Sequence, residues 1–159
     1  MISDTKVVAI GGGTGLSTML KGLKLHTHNI TAVVTVADDG GSSGILRSDL
    51  GMLAPGDVRN CVSALAEVDP VMGELLNFRF KDGSLKGHSL GNLFLAALNE
   101  TSSSFDEAVK KFSHLTGVVG TVYPVTNESV TLSALLEDGR LIEGESHIGV
   151  HHDLSLIHI

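Results

Sequence analysis

The fold of this chain is decided by the stretch Ala9-Ile10-Gly11-Gly12-Gly13-Thr14-Gly15-Leu16-Ser17. The residues that lead into it, Lys6 to Ile10, are mostly β-branched and apolar, which predicts a short buried strand. The apolar residues that follow the glycines fall on one face of a helix: Leu16, Met19, Leu20 and Leu23. A strand that runs through a glycine-rich turn into a helix is typical of α/β proteins.

A second buried strand is predicted over Ile30 to Val36, and it ends in Asp38-Asp39-Gly40-Gly41-Ser42-Ser43-Gly44. Strand, helix and strand within about 30 residues form a βαβ unit, in which the two strands are parallel. Residues 45–56 are expected to form a long ordered loop.

Pro55-Gly56-Asp57 is predicted to start the next helix, with Asp57 as its N-cap. Further helices are expected from Pro70, from Leu90 and after Ser104, followed by a strand over 118–125. Two short strands around Asp138-Gly139 predict a late β-hairpin. The pattern therefore indicates a Rossmann-like, three-layer α/β fold with a mainly parallel sheet plus that hairpin.

Composition excludes several classes of protein. The 159 residues suit one domain, and 42% of them are apolar against 18% charged. The formal charge of −7, without a run of Lys and Arg, argues against nucleic-acid binding. No apolar stretch approaches the roughly 20 residues of a membrane-spanning helix. A single cysteine, Cys61, and the lack of a signal pattern at the first residues favour a cytoplasmic protein.

The first glycine loop predicts a phosphate site formed by Gly12, Gly13, Thr14 and Gly15. Amides at a helix start are unpaired and the helix dipole attracts anions, while glycines let a phosphate approach the backbone. The loop departs from the dinucleotide fingerprint, because the third glycine of that pattern would fall on Leu16, and it has no Walker Lys. The alternative is a tight turn that binds no ligand.

The second loop offers Asp38 and Asp39 at the carboxyl end of a strand, where open α/β sheets bind ligands. The two carboxylates could hold a hydrated Mg²⁺ or accept hydrogen bonds from a ribose or base. Alternatively they cap the loop internally through Asx turns. Ser42 and Ser43 could add hydroxyl and amide donors to a phosphate.

Two later motifs complete the candidate site. Arg59 and Asn60 fall in the first turn of a helix, where an arginine suits a phosphate or carboxylate, although an exposed Arg on an ordinary helix is equally compatible. His88 either starts a helix structurally or hydrogen-bonds a ligand, and Asn92 follows one turn later. Gly91 within a helical pattern indicates close approach of a backbone or a ligand, since glycine costs about 1 kcal/mol there.

Together these motifs resemble the gluconeogenesis factors of the YvcK type, relatives of the 2-phospho-L-lactate transferases. The resemblance is carried, in order, by the glycine loop and by three further stretches: Val34 to Gly44, Pro55 to Cys61 and Gly87 to Leu93. It covers roughly residues 6–145. It implies a bacterial cytoplasmic protein that binds a UDP-sugar such as UDP-N-acetylglucosamine and is linked to cell shape and to growth on gluconeogenic carbon sources.

By this resemblance, the glycine loop would hold the diphosphate and Asp38 would contact the nucleoside side. The crevice would be lined by Arg59, Asn60, His88 and Asn92. The resemblance implies regulation without a required cofactor, protein partners of cell-envelope synthesis and a homo-oligomer. The alternative is a Mg²⁺-dependent transferase of the phospholactate type, with Asp38 and Asp39 on the metal.

The end of the chain departs from the family pattern, which continues further in its members. Residues Leu154 to Ile159 resemble the translation of a sequencing-adapter read-through. We therefore expect residues 1–149 to be the N-terminal part of one nucleotide-sugar-binding domain and residues 150–159 to be a non-native tail.

Overall fold

The computed structural model describes residues 4–136 and 138–150 of the chain. Residues 151–159 of the expected non-native tail therefore lie outside the described residues. None of the helices within the described part is long and apolar enough to cross a membrane.

A parallel three-stranded sheet forms the centre of the fold. Strand β1 spans Val7–Gly11, β2 spans Ile30–Val34 and β3 spans Thr121–Pro124, and they lie in the order β1-β2-β3. The strands pair in parallel register, with Ala9 opposite Ala32 and Ala32 opposite Val122. A separate antiparallel hairpin follows, formed by β4 (Ser133–Leu135) and β5 (Leu141–Glu143). The predicted α/β class, parallel sheet and late hairpin are confirmed.

The helices have the following bounds: α1 Gly13–Leu23, α2 Gly41–Leu50, α3 Gly56–Leu65, α4 Pro70–Asn77, α5 Leu90–Glu100, α6 Phe105–Leu115 and α7 Glu145–Ile148. Helix α3 lies at the centre of the packing and contacts α1, α5 and α6 as well as two strands of the sheet. Its inward side chains Val58, Cys61, Val62 and Leu65 are fully buried. This core holds the start of α3 rigidly beside the ends of β1 and β2.

The two faces of the sheet differ in burial. Ala9, Ala32 and Val122 point to the helices and are 5%, 0% and 1% exposed. Val8 and Ile10 point to the opposite face and are 65% and 76% exposed. Within the described residues, helices therefore cover one face, and the third layer of a Rossmann-like arrangement stays a prediction.

The loop expected over residues 45–56 is wrong in its first half, where helix α2 runs from Gly41 to Leu50. The inward face of α2 carries Ser42 and Ser43 beside only one fully buried apolar residue, Leu46, so the apolar periodicity of a helix is missing. The helix ends at Gly51, whose φ of 64° is the left-handed conformation that glycine favours at a helix end.

The expected N-cap of α3 is also wrong. Helix α3 begins at Gly56 with Pro55 before it, and no side chain caps it. Asp57 lies inside the first turn, where its carboxylate turns away from its own helix. Its partner is a backbone amide of the first glycine loop, described below.

Candidate functional site

The ends of β1 and β2 bring three helix N-termini together, those of α1, α2 and α3. Each helix follows a glycine-rich or proline-glycine turn, which is why the strand and helix ends can lie so close. Unpaired amides and the positive end of each helix dipole face this region. It is the edge of the sheet at which parallel α/β proteins bind ligands.

In the first glycine loop, the position expected for a phosphate is occupied by a carboxyl group of the protein itself. The Gly13 amide donates a 2.6 Å hydrogen bond to Oδ2 of Asp57. A Cβ on Gly12 would lie 2.1 Å from Cγ2 of Thr35 and 2.7 Å from Asp57 Oδ2, so only glycine fits there. Thr14 and Gly15 are exposed. The anion at this helix start is therefore a carboxylate of α3.

The Asp57 carboxyl group is held in an unfavourable environment for its charge. Burial raises its pKa, the Gly13 amide partly reverses that effect, and the negative charge of Asp38 raises the pKa further. Glu145 in α7 has a raised pKa as well, because of its burial and the charges of Asp38, Asp57 and Asp39. These four carboxyl groups form the acidic end of the site. The described residues contain no group of three or more His, Cys, Asp or Glu side chains arranged to hold a metal ion.

Asp38 and Asp39 do not act as a pair. Asp38 accepts a 2.9 Å hydrogen bond from the Gly40 amide, which is the Asx turn considered from the sequence. Asp39 accepts a 2.8 Å hydrogen bond from the Ser146 amide and lines a different cleft. Burial opposes ionisation of Asp39, but hydrogen bonds from Ser146 outweigh it and lower the pKa of this carboxyl group.

Four predicted site residues belong to one hydrogen-bonded chain of side chains. The Ser42 hydroxyl and Nδ1 of His88 are 2.9 Å apart, and Ser42 Oγ also accepts from Nδ2 of Asn92 at 3.0 Å. Oδ1 of Asn92 accepts from Nε of Arg59 at 3.2 Å. Nη1 of Arg59 donates to Oδ1 of Asn77 at 2.9 Å. This hydrogen-bond network connects helices α2, α3, α4 and α5 with the segment before α5, and it therefore fixes their relative positions.

Gly91 explains how Arg59 reaches this network. A Cβ on Gly91 would lie 2.6 Å from the backbone oxygen of Leu76 and 2.9 Å from Cδ of Arg59. The close approach predicted from the sequence is therefore an approach of α4 and of the Arg59 side chain, which passes directly over the bare backbone of α5.

A polar cleft of about 190 Å³ opens beside the network. Several predicted site residues line it, and so does Arg79, a residue that the sequence did not single out. Arg79 stands between α4 and α5, where an antiparallel bridge joins it to Ser89 next to His88. The lining consists of Asp38, Gly40, Gly41, Ser42, Ser43, Gly56, Asp57, Arg59, Asn60, Arg79 and Asn92. A single arginine in a polar loop between two helices belongs to no recognisable sequence motif, so nothing in the sequence indicated a role for Arg79.

Comparison with known proteins shows which family contains this arrangement of motifs. The profile of the family described as "2-phospho-L-lactate transferase CofD" matches residues 7–158. The chain belongs to this family. A protein of Thermoanaerobacterium thermosulfurigenes named "Putative gluconeogenesis factor" is 63% identical over 147 residues, which are 92% of this chain and 46% of that protein. A Bacillus subtilis protein named "Gluconeogenesis factor" is 51% identical over 90% of this chain and 45% of its own length.

The fold of this chain is also found in a solved structure. The crystal structure of a Bacillus halodurans protein superposes with a TM-score of 0.86 at 48% identity, and the match covers 90% of this chain and 47% of that one. The chain thus spans just under half the length of these relatives. The predicted family and fold are confirmed.

Proposed function

We propose that this chain supplies the nucleotide-binding region of a regulatory protein of the gluconeogenesis-factor type, and that its ligand is a UDP-sugar such as UDP-N-acetylglucosamine. The observation that carries the proposal is the cleft beside α2. There, one hydrogen-bonded network joins Ser42, Arg59, His88 and Asn92, which come from three separate sequence motifs. Buried polar networks that end in an open cleft at the edge of a parallel sheet are typical of ligand sites.

The size and the polarity of the cleft support a phosphorylated ligand. At about 190 Å³ it is smaller than the roughly 300–1,000 Å³ of complete small-molecule sites, so it suits one portion of such a ligand. Backbone amides at the start of α2, two serine hydroxyl groups and two guanidinium groups are donors for phosphate oxygens. The names of the relatives favour a regulatory role connected with gluconeogenesis.

The proposal includes a cytoplasmic location, protein partners of cell-envelope synthesis and assembly as a homo-oligomer. No bound cofactor is required for it. A second function, Mg²⁺-dependent transfer of the phospholactate type, is favoured by the description of the family. The acidic end of the site, with Asp38 and Asp57 on the cleft, is where a hydrated cation would be held in that case.

Titration calorimetry tests the proposal. UDP-N-acetylglucosamine is titrated into the chain with and without Mg²⁺, beside NAD and GTP as competing ligand classes. We expect selective binding of the UDP-sugar that does not need the metal and leaves the ligand intact. Absence of binding up to millimolar concentrations would refute the proposal. Metal-dependent consumption of a nucleotide-activated donor would favour the transferase.

Two serine variants localise the binding. Ser42→Ala removes a hydroxyl group of the network, whereas Ser48→Ala removes one from the exposed side of the same helix. We expect weaker UDP-sugar binding for Ser42→Ala and unchanged binding for Ser48→Ala, with circular dichroism showing that both variants fold. Equal affinities of the two variants would place the ligand elsewhere.

A further inference from the structure

Arg59 is a buried cation that forms no direct ion pair with a carboxylate of the described residues. The residue is 7% exposed, and the partners of its Nε and Nη1 are the neutral amide oxygens of Asn92 and Asn77. The ion pairs among the described residues lie elsewhere, on α6 and in the hairpin turn. A charge removed from water is unfavourable when no ion pair compensates it directly. Its burial, and next the charge of Arg79, lower the pKa of Arg59, and the negative charge of Asp57 partly opposes them.

Arg79 brings a second positive charge to the same cleft. It is anchored by a hydrogen bond that its Nη1 donates to the Gly87 backbone oxygen, and the remaining donors of this guanidinium have no partner among the described residues. An anion bound between two guanidinium groups reduces the electrostatic repulsion between them. The planar donor fork of arginine matches the oxygens of a phosphate group.

The glycine loop at α1 is a poor competitor for this anion. Its Gly13 amide is already bonded to the Asp57 carboxyl group, so this donor is not free to bind a phosphate. At the start of α2, Asp38 accepts a hydrogen bond from the amide of the N-cap residue Gly40, but within the described part of the chain no side chain caps the helix itself, and Gly41, Ser42 and Ser43 line the cleft together with both arginines. Helix α2 has 10 residues, which is enough for its dipole to favour an anion at this end.

We propose that Arg59, Arg79 and the first turn of α2 bind the diphosphate of the ligand, and that Arg79 is a binding residue of this site. The inference rests on the proposed function in taking a nucleoside diphosphate group as the occupant. It reassigns the diphosphate from Gly12–Gly15 to the cleft at α2. The glycine loop then has a structural role, joining α1 to α3 through Asp57.

The test compares two charge-removing variants of one surface segment. Arg79→Gln removes the second guanidinium from the cleft, and Lys86→Gln removes an exposed positive charge nearby that does not line it. Binding of inorganic pyrophosphate, uridine and UDP-N-acetylglucosamine is measured by calorimetry at one ionic strength. We expect Arg79→Gln to bind pyrophosphate and the UDP-sugar about tenfold more weakly, the effect of one charged hydrogen bond, and Lys86→Gln to bind both like the wild type. Equal affinities of Arg79→Gln and wild type would overturn the inference.

Amide resonances locate the anion independently of the variants. On addition of pyrophosphate, ¹⁵N-labelled protein should show its largest shifts at Gly41, Ser42 and Ser43. Largest shifts at Gly13, Thr14 and Gly15 would overturn the inference while leaving the proposed function intact. Conversely, pyrophosphate binding that depends on Arg79, without any binding of the UDP-sugar, would support the anion site and refute the proposed function.

Discussion

The contact at Gly91 gives a prediction whose size can be worked out from the structure. In Gly91→Ala the new Cβ would lie 2.6 Å from the Leu76 backbone oxygen, and 2.9 Å and 3.1 Å from Cδ and Cγ of Arg59. The Arg59 side chain can move by a few tenths of an ångström, but the carbonyl belongs to the last turn of α4 and moves only with its helix. Introducing a methyl group into such a contact costs about 1–3 kcal/mol, and the backbone contact places this site near the upper value.

The gain in helix propensity offsets part of that cost. Replacing glycine by alanine within a helix is worth about 1 kcal/mol. We therefore expect Gly91→Ala to lower the free energy of unfolding by about 2 kcal/mol, as the difference between the two effects. Displacing Arg59 should also weaken the anion site, because Nε of Arg59 loses its alignment with Asn92.

Urea denaturation followed by circular dichroism measures the effect, with Gly22→Ala as the matched control. Gly22 lies in α1, and a Cβ there would meet nothing within 4 Å, so this variant should gain up to about 1 kcal/mol. The two alanine variants should thus shift stability in opposite directions. A stabilised Gly91→Ala would refute the reasoning, since the contact between α4 and α5 would then not be tight.

Three further predictions concern single side chains. Burial raises the pKa of Asp57 above its ordinary value of 3.8, so the folded state holds this proton more tightly than the unfolded state does. The free energy of unfolding therefore falls as the pH rises from the unfolded-state pKa of this group through its folded-state pKa. Asp57→Asn, which keeps an acceptor for Gly13, should gain stability over wild type in urea denaturation as pH rises above about 4, whereas a pH-independent difference would contradict this. Burial raises the pKa of the Cys61 thiol to about 12, so Ellman's reagent should label it only as the protein unfolds, and immediate labelling of the native protein would disprove that. Ser104 Oγ accepts from the Glu107 amide at the start of α6, so Ser104→Ala should lower the free energy of unfolding by about 1 kcal/mol in a thermal melt, and an unchanged melt would count against the cap.

Much of the fold could be predicted because its signals are local. Strands β1 and β2 are short runs rich in β-branched residues, β1 ends in Gly11, and α1 has a leucine stripe with helical spacing. The hairpin follows from Asp138-Gly139 between two apolar runs. Each of these signals lies within about ten residues of the element it predicts.

Helix α2 could not be predicted in this way, because its buried face is polar. Ser42 is buried by its contacts with His88 and Asn92, and Ser43 by the 3.2 Å hydrogen bond it accepts from the Gly56 amide. A helix that packs against a hydrogen-bond network shows no apolar periodicity. The two serines that suggested a ligand site are thus also the reason why the helix was missed, because they occupy inward positions at which a predicted helix carries apolar residues.

The site residues could be proposed one motif at a time, but not their pairing. Arg59 and Asn92 are 33 positions apart, and Ser42 and Asn92 are 50 apart. No local pattern encodes contacts at such separations. The ligand roles of Asn60 and of the glycine loop, and a metal at Asp38 and Asp39, stay predictions, while the geometry shows that these two carboxylates line different clefts.

A glycine-rich turn at a helix start indicates that an anion is bound, but it does not say where the anion comes from. In this chain the amide of Gly13 meets the carboxylate of Asp57, 44 residues away, and the site balances its charges internally at that point. Arg59, two residues after Asp57, experiences the charge of that carboxyl group but hydrogen-bonds the amides of Asn92 and Asn77, and it lines the cleft together with Arg79. Because Asp38 and Asp57 line the same cleft as the two arginines, the formal charges there balance, and a diphosphate would be held by directed donors, the guanidinium groups and the α2 amides, rather than by a net positive charge.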